Sequence, residues 1–287
     1  MATEEEQKFD VKSFATELRD DIENNRIKLP TLPAISLEAL LVVNDADSSM
    51  ADVAKVIIKD TSMATRLVRY ANSPLYAGTV KVTSVKMAIT RIGFDAVKHA
   101  ILSLAMKDVF STPFKLVQKR MELLWVHSVR VASIATLIAG YLPHIKQDEA
   151  MLAGLIHDVG VIPILLKAKD RPELAEQSEQ LDKVTKALHM LVGKFLLQYW
   201  NFEKTFIDVA AQHDRLDRKC DGDKADHVDV IQIANILSYA DDDQHAYSEL
   251  DITKLPAYRR IGDEVVTQVM TDIEDGAAEQ SISHTLL

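Results

Sequence analysis

Five residues between positions 127 and 213 carry the side chains of metal or acid–base chemistry: His127, His157, Asp158, His189 and His213. Imidazole nitrogen and carboxylate oxygen are good donors to zinc, iron, manganese or nickel, and magnesium accepts the carboxylate. An ion held by them would acidify water and polarise a phosphoryl oxygen, and a neighbouring histidine can pass a proton to a leaving group. His157-Asp158 is the doublet best suited to an ion, closing the apolar run Leu155-Ile156 ahead of Val159-Gly160. A lone histidine on an apolar helix is more often a hydrogen-bonded core residue than a ligand, so the set has meaning only together.

Intervals of about thirty residues separate His127, His157 and His189, so separate helices must supply them. Apolar residues recur at helical spacing in Phe14, Leu18 and Ile22, in the face Ile35, Leu37, Leu40 and Leu41, and in Val53, Val56 and Ile57. Ser49 with Asp52 reads as a capping box, Thr61 or Ser62 as a cap, and Ser84 as the cap of a helix stopped by Gly93. A longer pattern begins at Pro113 and runs to about Tyr141. Further helices are expected over 149–158, 161–169, 184–200, 206–213 and 228–239. No period-two strand is evident, which predicts an all-α fold of two helical lobes. The divisions expected are an N-terminal helix or extension (1–25), a first lobe (26–112), a second lobe (113–245) and a partly disordered C-terminal extension (246–287).

Composition narrows the function. The 287 residues are 47% hydrophobic and 26% charged, with only 9 Gly and 8 Pro, which suits a helical globular chain. A net charge of −10 without a visible basic cluster argues against general nucleic-acid binding and against an anionic membrane surface. Lys115, Lys119 and Arg120 are a small basic face, read as solubility or a partner contact. The single cysteine, Cys220, excludes an intrachain disulfide and a thiolate zinc cluster. No secretory leader is visible and no uninterrupted apolar stretch approaches the ~20 residues of a bilayer span, so a cytoplasmic protein is expected. The run Asp241-Asp242-Asp243 is read as a solvated helix end, and Asn72-Ser73-Pro74 as a helix stop and turn.

The order His127, His157-Asp158, His189, His213 resembles the HD superfamily of metal-dependent phosphohydrolases. Residues before it narrow the resemblance. Leu29-Pro30-Thr31-Leu32-Pro33, Asp60 with Leu67-Val68-Arg69-Tyr70-Ala71-Asn72-Ser73, and Ala88-Ile89-Thr90-Arg91-Ile92-Gly93 are similar to the HDOD family, the HD-related output domain of bacterial signalling. Leu124-Trp125-Val126-His127-Ser128 and Ala153 through Gly160 are similar to it as well. The resemblance spans about residues 25–245 and implies a helical lobe followed by an HD-like bundle.

It also implies a metal set of His127, His157, Asp158 and Asn235. The last departs from the pattern, because an Asp is expected there and Asn removes one charge. Val161 departs too, where hydrolytic relatives commonly carry a Lys that contacts phosphate. The Gly-Tyr-Pro tripeptide of the cyclic-dinucleotide-hydrolysing branch is absent, and Asp214 follows His213 where relatives often have a second His. The expectation is therefore a bacterial signal-transduction module that regulates by protein interaction without turnover, with another signalling protein or a second copy as partner. The alternative is a phosphohydrolase acting on a nucleotide or phosphoester, with Asp158, His189 and His213 as catalytic candidates. Asp214 or Asp241 would be substitute carboxylates.

Overall fold

Helices make up the regular structure among the described residues of the computed structural model, which are 11–24, 26, 32–45, 47–169, 178–219, 222–240, 242 and 245–277. Leu29, Pro30 and Thr31 of the first motif, Cys220, Asp241 and Asp243 lie outside them, as do residues 1–10 and 278–287. The order is α1 (Val11–Glu23), α2 (Ala34–Val43), α3 (Met50–Ile57), α4 (Thr61–Tyr70), α5 (Val85–Ile92), α6 (Phe94–Val109) and α7 (Lys115–Gly140). There follow α8 (Gln147–Ile156), α9 (Val161–Ala168), α10 (Ser178–Tyr199), α11 (Lys204–Gln212), α12 (His227–Leu237), α13 (Pro256–Ile261) and α14 (Asp263–Glu274).

Short side chains that satisfy free amides set the helix starts. Ser49 donates to Asp52 from its amide and its hydroxyl in the expected capping box of α3, and Ser84 accepts from the Met87 amide at the head of α5. The cap of α4 is Asp60 and not Thr61 or Ser62. Its carboxylate accepts from the Met63 amide at 2.7 Å, a charge-assisted bond that a hydroxyl one residue later cannot match. Gly93 ends α5 at φ 89°, in the left-handed region that favours glycine. Asn72 acts as the turn residue expected of it: its side chain donates to Val68 and Val82 carbonyls and accepts from the Val82 amide.

Helices α2 to α6 pack among themselves, α7 to α14 form a second set, and α6 lies against α8 at their junction. Buried side chains of both sets form one continuous core. α1 docks on α9 and α10 and so sits with the second set; Lys167 of α9 pairs with Asp21, and Arg19 lies over the Phe195 ring. The expected face of α2 is borne out only in part. On α2 Ile35 and Leu40 of the expected face pack partly buried against the core, but Leu37 and Leu41 are exposed (46% and 74%) and the fully buried positions are Ser36 and Ala39. In the C-terminal region α13 and α14 are ordered elements packed on α12 and α7, burying Tyr258, Ile261, Val266 and Val269.

Two stretches, 115–140 and 147–168, are long and apolar enough to cross a bilayer by length and composition. The apolar windows are 67% and 83% buried inside the protein, which assigns that hydropathy to the core around the histidines.

Candidate metal centre

Two backbone contacts determine where the histidines meet. A Cβ on Gly154 of α8 would lie 2.5 Å from the Ala132 Cα of α7, so those helices touch without intervening side chains. That approach sets His127 on α7 against His157, the C-cap of α8, with Nε2 atoms 3.2 Å apart. At the head of α9, a Cβ on Gly160 would lie 2.0 Å from the His189 carbonyl oxygen and 2.4 Å from the Gly193 nitrogen. This contact presses α10 onto the turn that carries Asp158 and brings in His189. His213, the C-cap of α11, completes the group.

Asp158 stands between two pairs of imidazoles. Its Oδ2 is 3.5 Å from His157 Nε2 and 3.9 Å from His127 Nε2; its Oδ1 is 3.2 Å from His213 Nε2 and 3.6 Å from His189 Nε2. His189 and His213 are 3.2 Å apart at Nε2. The result is two triplets sharing one carboxylate, His127–His157–Asp158 and Asp158–His189–His213, each with donor atoms within 4.8 Å of one another. Ligands about 2.0–2.2 Å from one ion at tetrahedral or octahedral angles are themselves roughly 3–3.6 Å apart, close to the spacing here.

The backbone fixes which nitrogen faces inward. Nδ1 of His157, His189 and His213 meets the carbonyl oxygens of Gly154 (2.7 Å), Thr185 (3.0 Å) and Val209 (3.2 Å). A carbonyl only accepts, so Nδ1 carries hydrogen in each ring and the neutral ring turns an Nε2 lone pair to the centre. Two such lone pairs at 3.2 Å repel unless a proton or a cation lies between them. Burial lowers His157 to about 3, the Asp158 carboxylate opposing only in part, and burial likewise lowers His127. His189 is the exception: burial disfavours its cation, but the bond to Asp214 and the field of Asp158 outweigh that and raise it to about 9. Burial also disfavours charge on Asp158, yet the surrounding imidazoles hold it well below the usual carboxylate range.

Asp214 lies within reach, which sequence spacing alone could not establish. Its Oδ2 is 3.3 Å from His189 Nε2, and its Oδ1 accepts from Tyr247 Oη at 3.1 Å and Asn235 Nδ2 at 3.3 Å. Despite burial, the His189 bond brings Asp214 down to about 2. Asn235 is 6% exposed, and its Oδ1 is buried with no hydrogen-bond partner. An acceptor left bare beside an imidazole–carboxylate cluster suits a cation. Thus the donor set fits a metal, with Asn235 as a neutral donor.

A cavity of about 380 Å³ opens onto this group, lined by Asp158, Asp214 and Asn235 from the centre and by Tyr239, His245 and Tyr247 on one side. Tyr239 stacks on His245 (3.6 Å, 3°) and lies 5.0 Å from the His127 ring. Sequence reasoning overlooked these aromatic residues, although Tyr239 is one helical turn beyond Asn235. His144 is elsewhere, its Nε2 bonded to the Ala225 carbonyl at 2.9 Å. Of the small basic face, Lys115 and Lys119 are exposed, and Arg120 pairs with Asp182 at 2.6 Å.

The profile of the HDOD domain matches residues 29–216. The chain belongs to the HDOD family. A Shewanella amazonensis protein whose proposed class is metal-dependent phosphohydrolase is similar in structure to this HDOD chain, with TM-score 0.76 and 25% identity over 93% of this chain and 99% of that one. An HDOD domain protein of unknown function from Geobacter sulfurreducens matches with TM-score 0.64 and 23% identity over 94% and 97%. A Marinobacter aquaeolei protein with a proposed role in signal transduction matches with TM-score 0.58 and 17% identity over 93% and 66%. No protein of curated function matches the sequence.

Proposed function

We propose that this HDOD protein is a metal-dependent phosphoester hydrolase whose centre holds two divalent ions. The observation that carries the reading is the pair of donor triplets joined at Asp158, with three imidazoles locked by backbone carbonyls so that Nε2 faces inward. His127 and His157 would hold one ion, His189 and His213 the other, and Asp158 both. Asn235 would add its oxygen. Two divalent ions against the carboxylates of Asp158 and Asp214 leave the centre net positive, the field a phosphate requires. When bound, such ions supply Lewis acidity toward a phosphoryl oxygen and lower the pKa of water. Asp214, held by Tyr247 and Asn235, keeps an acceptor at the floor of the cavity, and the stacked Tyr239 and His245 shield His127 from bulk water. The similarity to the Shewanella protein supports the same class.

The test is to load purified protein with Mn²⁺, Fe²⁺ or Zn²⁺, count bound ions by mass spectrometry, and assay p-nitrophenyl phosphate and bis-p-nitrophenyl phosphate. Two ions per chain and a turnover lost in His157→Ala are expected. An empty site, or a turnover that survives His157→Ala, would sink the reading.

Asn235 favours a second reading, in which the protein regulates a signalling partner without turnover. A neutral amide where a carboxylate is expected weakens the charge available to a metal. The signal-transduction relative is compatible with that role. Here metal content and partner binding would be unrelated, and His157→Ala would bind the partner as the parent does.

A further inference from the structure

The cavity over the centre has one lysine or arginine among its described lining residues, Lys186. It lies on the face of α10 that runs Asp182, Thr185, Lys186, His189, so one helix presents both His189 and this ammonium to the same space. Asp182 is its natural partner at i−4. Arg120 of α7 takes that carboxylate instead, at 2.6 Å, and Lys186 has no hydrogen bond or ion pair among the described residues. Beside it, the Thr185 hydroxyl is buried without a partner, while Val161 offers only methyl groups. A cation kept free next to three cavity carboxylates, Asp158, Asp182 and Asp214, together with an unsatisfied hydroxyl, is the donor pair of an anion subsite.

Resting on the metal-centre reading above, we propose that Lys186 is the specificity-determining residue of this cavity, binding a non-bridging phosphate oxygen of an anionic phosphoester. Arg120 has a positioning role, since it neutralises Asp182 and so prevents that carboxylate from capturing the lysine.

The probe is inorganic phosphate, titrated calorimetrically into the full chain with and without Mn²⁺. Lys186→Gln should weaken phosphate binding about five- to tenfold with metal stoichiometry unchanged. Lys186→Arg should return it to within roughly twofold, and Lys183→Gln, on the outer face of α10 and paired with Glu179, should leave it unchanged. Arg120→Gln should weaken binding too, and its effect should vanish when Asp182 is also made Asn. Parent-like binding by Lys186→Gln overturns the inference. So does equal weakening by Lys183→Gln, or a parent protein that binds no phosphate in either state. Phosphate binding that depends on Lys186 in a protein without turnover would leave the subsite standing and remove the hydrolase reading instead.

Discussion

Asp158 belongs to both donor triplets, so its removal should act differently from that of any single histidine. Asp158→Asn should lower the bound metal to less than one ion per chain, whereas His127→Ala should leave about one, as counted by mass spectrometry after loading with Mn²⁺. Asn235 invites the opposite change. Asn235→Asp would face Asp214 across the 3.3 Å now spanned by an amide hydrogen bond, so the metal-free protein should lose about 1–3 kcal/mol, read from urea unfolding. The added charge should then tighten Mn²⁺ binding by about tenfold or more, measured by competition with a chelator dye. The residues of the centre were legible in the sequence because the His-Asp doublet and four histidines on apolar helices are rare together. Asp214 was a candidate substitute carboxylate whose reach residue order could not supply, since the turn after α11 aims it. Tyr247 reaches it from 33 residues away, a distance no local pattern encodes.

At the scale of helices, the two glycine contacts do what side chains cannot. Gly160→Ala would put a methyl carbon on the His189 carbonyl, backbone against backbone, so α10 must retreat from α9. A cost of about 1–3 kcal/mol is expected in thermal or urea unfolding, and under the two-ion proposal metal binding at His189–His213 should be lost while that at His127–His157 is kept. Metal counting separates this outcome from a general loss of fold. Periodicity gave the helices of the second set well, because long apolar runs such as α7 and α8 have one reading. On α2 it was right for Ile35 and Leu40 and wrong for Leu37 and Leu41, because in a helix with so many apolar positions the period cannot show that Ser36 and Ala39 are the buried ones. Leu41→Gln should therefore change stability by less than about 0.5 kcal/mol, while Ala39→Leu should cost about 1–3 kcal/mol. The helices α13 and α14 escaped notice because Gly262, at φ 100°, cuts them short, although Val266, Val269 and Ile273 keep helical spacing.

Across the whole molecule, α12 is anchored by a carboxylate with no exposure at all. Asp229 accepts from Arg218 and Arg260, which joins the loop after α11 to α13. Burial disfavours its charge, but the two guanidinium groups outweigh that and hold it below the usual carboxylate value. Its stabilising contribution is therefore complete above the unfolded value near pH 4 and fades as pH falls through the lower folded value. Asp229→Asn should flatten that acid limb of the urea-unfolding profile, and Asp229→Ala should cost about 3–5 kcal/mol near neutral pH by removing the carboxylate that Arg218 and Arg260 share, although Arg218 keeps Asp226. None of this network was readable from residue order, since Arg260 is distant in sequence and its charge resembles any surface charge. The docking of α1 against α9 and α10 bears on how the chain is made. Phe14, Leu18 and Ile22 leave the ribosome well before α10, on which α1 docks, is complete. At about 5–20 residues per second, that interval is roughly ten to thirty-five seconds. Throughout it an apolar stripe waits without its cover, so the nascent chain carries a chaperone-sized liability that the finished protein does not show.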